Sequence, residues 1–356
     1  MKNPIDFEAL YESSQLCQRG VIWKDSVASF SLDALKRTMQ LKNALTNSQY
    51  KPRPPHQFWI THPKKRLAAS IGFKDRVYQR SLNDNCLYPQ ITRHFIYDNA
   101  ACQKDRGTDF ARGRLKAFLE KAYRKYGTDL YILQCDIKGY YPNMRHDAVE
   151  MVFGRYLDPE TFRRSKEVLN GQYEGDVGFF PGSQMIQIAG IAILNDMDHM
   201  IKERLRVKYY LRYMDDFVLI HPDKEFLLHC RDEIEKEVEK IGFWLHPEKT
   251  RLYPISEGIK FLGFIHYLTD TGKVLRLLDT NNVRMERRKL VRLVHRVRKG
   301  YMTRKQVDNC YQSWRAHAVK GNTHNLVRRM DKFYESLWNK PIIVGERNNK
   351  CKQKLQ

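Results

Sequence analysis

Two hydrophobic rhythms run along this chain. At 223–241, Phe226, Leu227, Cys230, Ile234, Val238 and Ile241 recur at the three-and-four spacing of one helix face, and Gly242 stands where such a helix would stop. A second helix is expected over 113–126. Between such stretches lie short β-branched or aromatic runs at 131–135, 209–213, 217–220 and 261–267, which predict strands. After Asn281 the strand signals vanish, and a basic amphipathic pattern at 284–299 and 307–338 predicts a helical appendage. Helices and strands interleave without a repeat, so the expected class is α+β. The run KPRPPH at 51–56 reads as a stiff connector behind a helical N-terminal region, which sets expected boundaries near 50 and 280.

Composition narrows the partners. With 356 residues and 42% hydrophobic content, the chain has enough apolar side chains for two or three subdomains around a continuous core. Its 63 Lys and Arg against 41 Asp and Glu leave a net charge of +22, far more than solubility needs and suited to a polyanion. The excess is uneven: from Asn281 onward, 20 Lys and Arg stand against 5 acids. A solvated basic helical surface is the alternative for charge taken alone. Seven scattered cysteines, none in a C-x-x-C pair, argue against a disulfide framework or zinc site. No signal-peptide pattern and no apolar run of membrane length is visible, so the expectation is a cytoplasmic protein without a membrane partner.

The candidate chemistry sits at strand ends. Tyr213-Met214-Asp215-Asp216 lies between two apolar runs and reads as a hairpin turn that presents two carboxylates. Adjacent like charges raise each other's pKa unless a cation is supplied, and oxygen-preferring Mg²⁺ is the natural one. Tyr131-Ile-Leu-Gln-Cys-Asp136 is a second apolar strand ending in an acid. Paired beside the hairpin, it would bring three carboxylates to one sheet edge, a cluster suited to two metal ions. An exposed acidic turn and a strand-end cap are the plainer alternatives.

The order of these motifs resembles the palm of reverse transcriptases. CDIKGYY at 135–141 is similar to the family's first metal motif and YMDD at 213–216 to its second. Between them, residues 178–201 resemble the glycine-containing turn and helix under template and nucleotide. GFWLHPEKT at 242–250 resembles the lysine motif, and FLGFIHY at 261–267 the hairpin that grips the primer end. Upstream, residues 63–82 resemble the fingers strands that hold the triphosphate, and 311–338 resemble a short bacterial or phage thumb.

The resemblance implies a right-hand polymerase: an N-terminal helical extension at 1–50, fingers at 51–130, a palm of antiparallel sheet plus helices, with part of the fingers, at 131–278, a basic helical thumb at 279–340 and a basic tail at 341–356. It implies Asp136 and Asp215 as metal ligands, with Asp216 beside them and Ile137 in the metal set. The ions would be two Mg²⁺, with Mn²⁺ able to substitute. Lys65 and Arg66 would hold the triphosphate, and Lys249 would act near the pyrophosphate as a general acid. Tyr141 falls where the family places a ring that clashes with a ribose 2′-hydroxyl, Gly182 would admit a close approach to the base pair, and Gln187 aligns with a glutamine of the bacterial retroelement branch. A solvated charge run (Lys65, Arg66), a surface lysine (Lys249) and a core aromatic (Tyr141) are the competing readings. Phe180-Pro181 before Gly182 departs from the usual motif.

The implied partners are a structured noncoding RNA as template, a DNA or RNA primer, deoxynucleotides, and a small accessory protein or a second copy. The closest settings are the reverse transcriptases of diversity-generating retroelements and the unassigned group used in antiphage defence, both related to group II intron enzymes. Retron enzymes are less similar because Met214 replaces their usual alanine. A catalytically idle RNA-binding or splicing cofactor, which an eroded aspartate would favour, and an RNA-templated RNA polymerase, which would prefer a small residue at Tyr141, are the alternatives.

Overall fold

A computed structural model describes residues 2–61, 65–180 and 182–339, and forms two compact units that divide at Pro254 and Ile255. The first opens with helices α1 (Phe7–Gln18), α2 (Asp25–Leu32) and α3 (Ala34–Thr46). A two-stranded ribbon follows, β1 (His56–Ile60) against β2 (Arg66–Ser70), and then α4 (Phe73–Leu82), α5 (Tyr88–Thr92) and α6 (Thr108–Tyr126). Leu10, Cys17, Phe30 and Leu41 share one core with Phe73, Val77 and Leu82, so the N-terminal helices are built into this unit.

The centre is an antiparallel sheet of β3 (Tyr131–Asp136), β4 (Tyr209–Tyr213), β5 (Asp216–His221) and β6 (Arg251–Pro254), in the order β4-β5-β3-β6. Between β3 and β4 come α7 (His146–Tyr156), α8 (Pro159–Gln172), α9 (Gln184–Ala192) and α10 (Asn195–His199); α11 (Lys224–Glu239) follows β5. Side chains alternate across a strand. Leu133 and Cys135 of β3 and Phe217 and Leu219 of β5 therefore point to one face and join the core. The same parity puts Gln134 and Asp136 on the other. In α11, Leu227, Cys230, Ile234 and Val238 are buried, the Asp223 carboxylate accepts from the Phe226 N–H at 3.1 Å, and Gly242 takes φ 80° just beyond the end. The helix expected over 223–241 is thus observed, trimmed at both ends by its caps.

Two readings need correcting. Residues 73–82 are helix, not fingers strand: Phe73, Val77, Tyr78, Ser81 and Leu82 are buried at helical spacing. The run at 261–267 is not one strand but the hairpin its resemblance implies: Phe261 pairs with Phe264 across a two-residue turn at Leu262 (φ 47°) and Gly263 (φ 85°).

The second unit holds β7 (Ile259–Phe261), β8 (Phe264–Leu268) and β9 (Val274–Leu277), then α12 (Thr280–Arg298), α13 (Arg304–Ala318) and α14 (His324–Asn339). Leu290, Val294, Val307, Tyr311, Met330 and Tyr334 form its helical core. Arg284, Arg288, Arg292 and Arg296 recur every fourth residue on the exposed face of α12. Thr303 and Gln306 form a reciprocal capping box on α13. Among the described residues no helix is long and apolar enough to cross a membrane, and the six described cysteines are free thiols.

Candidate active site

The register delivers the three acids to one place. Asp136, the last residue of β3, lies directly opposite Asp216, the first of β5, and Tyr213 pairs with the same Asp216 across the β4–β5 hairpin. Met214 and Asp215 form the two-residue turn. Met214 has φ 60°, a conformation that costs a non-glycine residue about 1–2 kcal/mol. It is held from two sides. Arg212 donates through Nη1 to the Met214 carbonyl at 2.9 Å, and the Cys102 thiol lies 3.8 Å from the Met214 sulfur.

Arg212 is the residue sequence reasoning missed. It is fully buried and donates through Nε and Nη2 to the equally buried Asp198 of α10, at 2.7 and 2.6 Å. A further Nη2 bond reaches the Ile191 carbonyl of α9 at 2.9 Å, and Tyr210 donates to Asp198 at 2.6 Å. One guanidinium thus ties the acidic turn to two helices behind it. The available signal was an arginine inside the apolar run YYLRY and an acid within the largely apolar stretch 185–201.

Lys249 arrives by local pairing. Residues 244–246 run antiparallel to 136–138: Lys138 donates to the Trp244 carbonyl at 3.0 Å and His246 to the Asp136 carbonyl at 2.7 Å. The turn that follows carries Lys249 Nζ to 2.6 Å from Asp136 Oδ1. Asp216 Oδ1 accepts instead from Gln134 at 3.3 Å. Among the described residues, no group of three or more His, Cys, Asp or Glu converges as a ready metal cage.

Burial raises the carboxyl of Asp215 above its ordinary range, with the Asp136 charge adding to it. Asp216 is likewise pushed up to about 7, chiefly by burial, with the Gln134 hydrogen bond and Lys249 pulling it down and the Asp136 and Asp215 charges adding to the rise. An all-oxygen cluster whose ionisation is suppressed in this way fits a hard divalent cation such as Mg²⁺, which would restore the charged forms. Between about pH 4 and 7 folded Asp216 keeps a proton that the unfolded chain releases, so stability without metal should fall as pH rises through that window. Thermal melts in chelator at pH 5 and pH 8 should show this fall. Asp216→Asn should flatten it, and a slope unchanged in that variant would mean that other groups cause it.

A cavity of about 1160 Å³ opens in front of the turn, lined by Asp136, Asp215, Lys249, Tyr141, Lys65 and Trp59. Ile137 and Phe180 also line it; the Ile137 side chain is hydrocarbon, so the only oxygen this residue can offer is its main-chain carbonyl. Lys65 Nζ rests 4.7 Å from the Trp59 ring centre. Arg66 opens β2, and its side chain lies outside the described residues, as does Pro181. Gly182 packs on the ribbon so closely that a Cβ there would stand 2.7 Å from the Ala69 carbonyl oxygen. Gln187 is on the exposed side of α9, and neither it nor Asp216 lines the cavity.

An antiparallel sheet carrying acids at its hairpin tip, embedded in an α+β unit, is the palm of a right-hand polymerase. Residues 51–266 match the family described as reverse transcriptase (RNA-dependent DNA polymerase), and the chain belongs to that family. Its members are RNA-directed DNA polymerases, enzymes of nucleotidyl transfer. Among solved structures, the fold is similar to apo telomerase from Candida tropicalis, at 14% identity and TM-score 0.48 over 64% of this chain and 49% of that one. It is similar also to telomerase from Candida albicans in complex with a TWJ fragment of telomeric RNA, at 14% identity and TM-score 0.48 over 68% and 50%. The chain spans about half the length of these structures. No curated protein matches the sequence.

Proposed function

We propose that this chain copies an RNA template into DNA in the cavity before the β4–β5 turn, with Asp136, Asp215 and Asp216 as its metal-binding acids and the Ile137 main chain beside them. The observation that carries this reading is the meeting of Asp136, Asp215, Lys249, Lys65 and Tyr141 around one space of about 1160 Å³. Two Mg²⁺ ions, or Mn²⁺ in their place, would supply an activated primer 3′-hydroxyl and charge neutralisation on the phosphates. Lys65 and Arg66 bring cations to the triphosphate, and Tyr141 closes the space under the sugar against a 2′-hydroxyl. Gly182 admits backbone near the base pair, and Gln187 stands on the exposed side of α9, the helix read as lying under template and nucleotide.

Lys249 leaves Asp136 when substrate enters and protonates the departing pyrophosphate. Lys249→Met should therefore lower kcat by on the order of 10²-fold with little change in the KM for deoxynucleotide. A normal kcat would assign the lysine to charge balance at Asp136 alone.

In this reading fingers, palm and thumb follow the boundaries 51–130, 131–278 and 279–340, and the basic helices from Thr280 onward bind template–primer backbone. The template is a structured noncoding RNA, the primer is DNA or RNA, and the setting is the cytoplasm of a bacterium, in a diversity-generating retroelement or in antiphage defence. A small accessory protein or a second copy completes the particle. The test is single-nucleotide addition to a primer annealed to RNA, with each template base in turn. Addition of only the complementary deoxynucleotide is expected; addition that ignores the template base would overturn the proposal.

A further inference from the structure

A glycine in the interior of a helix costs about 0.5–1 kcal/mol relative to alanine, so one that is kept there calls for a packing reason. Gly190 lies inside α9, buried, with Ile188, Ala189 and Ile191 as its apolar neighbours. Both tyrosines of the first acidic motif rest on it. The Tyr140 hydroxyl donates to the Gly190 carbonyl. The Tyr141 ring lies against the glycine's bare Cα: a Cβ there would stand 3.2 Å from Tyr141 Oη, 3.4 Å from Cε1 and 3.5 Å from Cζ. That is tight enough to make the ring give by a few tenths of an ångström. Tyr140 packs edge-on against it at 5.4 Å between ring centres and is itself buried. The free side of the Tyr141 ring is the cavity.

We propose that Gly190 is a specificity-determining residue that acts through Tyr141: its missing side chain sets how far the ring stands back from the nucleotide sugar. The inference rests on the reading of Tyr141 as the sugar-selecting ring. With alanine at 190, the ring advances into the space where the sugar sits. A deoxyribose then fits less well, and a ribose, whose 2′-hydroxyl already meets the ring, fits worse still.

Steady-state incorporation of dNTP and NTP by the full chain tests this, in Gly190→Ala, Tyr141→Ala, Tyr141→Phe and the double variant Gly190→Ala/Tyr141→Phe. Gly190→Ala should raise the dNTP KM on the order of ten-fold, the scale of one methyl group in a closed pocket, with kcat nearly unchanged. It should also raise the preference for dNTP over NTP. The double variant lacks Oη, the nearest contact, so its dNTP KM should return towards that of Tyr141→Phe alone. Tyr141→Ala should relax the preference. If it does not, the sugar-selecting reading fails and the role of Gly190 fails with it. If Tyr141→Ala relaxes the preference while Gly190→Ala leaves KM and preference unaltered, the Gly190 inference alone is overturned. A double variant as impaired as Gly190→Ala would overturn it too, because the effect would not pass through the hydroxyl. Should Gly190→Ala lower the melting temperature, the same coupling is read there: recovery in the double variant supports the proposal, and additive losses overturn it.

Discussion

Asp215→Asn should abolish DNA synthesis, lowering the rate by on the order of 10³-fold, while leaving the fold intact. The amide keeps the size of the side chain but removes a charge from the tip of the turn, and a cluster that holds divalent cations gives up several kcal/mol of transition-state stabilisation with such a loss. Without metal the same change should raise the melting temperature, because burial and the neighbouring Asp136 charge work against ionised Asp215 in the folded state. A dead enzyme more stable in chelator than its parent is a signature that general misfolding does not produce. Synthesis within ten-fold of the parent would remove Asp215 from the metal set.

Arg212→Met should destabilise the first unit by about 3–5 kcal/mol, the usual cost of leaving one member of a buried ion pair without its partner. Asp198 would keep the Tyr210 hydroxyl as donor, and the Met214 carbonyl would lose the bond that holds its left-handed backbone. Chemical denaturation reads the first effect. Adding Asp198→Leu should recover most of the lost stability, since two apolar groups replace two charges. Activity should not recover with it, because the turn is still untethered. Recovery of both together would mean that Arg212 serves stability alone.

Much of this site is legible in the sequence because its chemistry sits where strands end. An apolar run closing on Asp136 and another opening after Asp216 bring the two acids face to face once the strands pair. The same logic could not reach Arg212. An arginine in a strand usually faces water, and only the position of Asp198, 14 residues upstream and on another element, makes it a buried tether. Gly190 is silent for a similar reason, since its role depends on a ring brought against α9 by the turn at 139–143. Residues 73–82 were misread because a ten-residue helix is short, and the strand of a resembling family was extended across it. Leu262 hides the turn at 262–263 from the apolar pattern, because a branched apolar side chain seldom takes positive φ, and only the resemblance points to a hairpin there.

The acids at the ends of β3 and β5 and in the turn before β5 are proposed to copy RNA into DNA. Primer extension on an RNA template with Mg²⁺ and labelled deoxynucleotides, run beside the Asp215→Ala/Asp216→Ala double variant, tests this most directly. Extension to the end of the template is expected from the wild-type chain and none from the variant, although both bind the template–primer. Extension of equal length by both would place the chemistry elsewhere. No extension by the wild-type chain, even with its co-purifying RNA added, would leave an RNA-binding scaffold built on a polymerase fold.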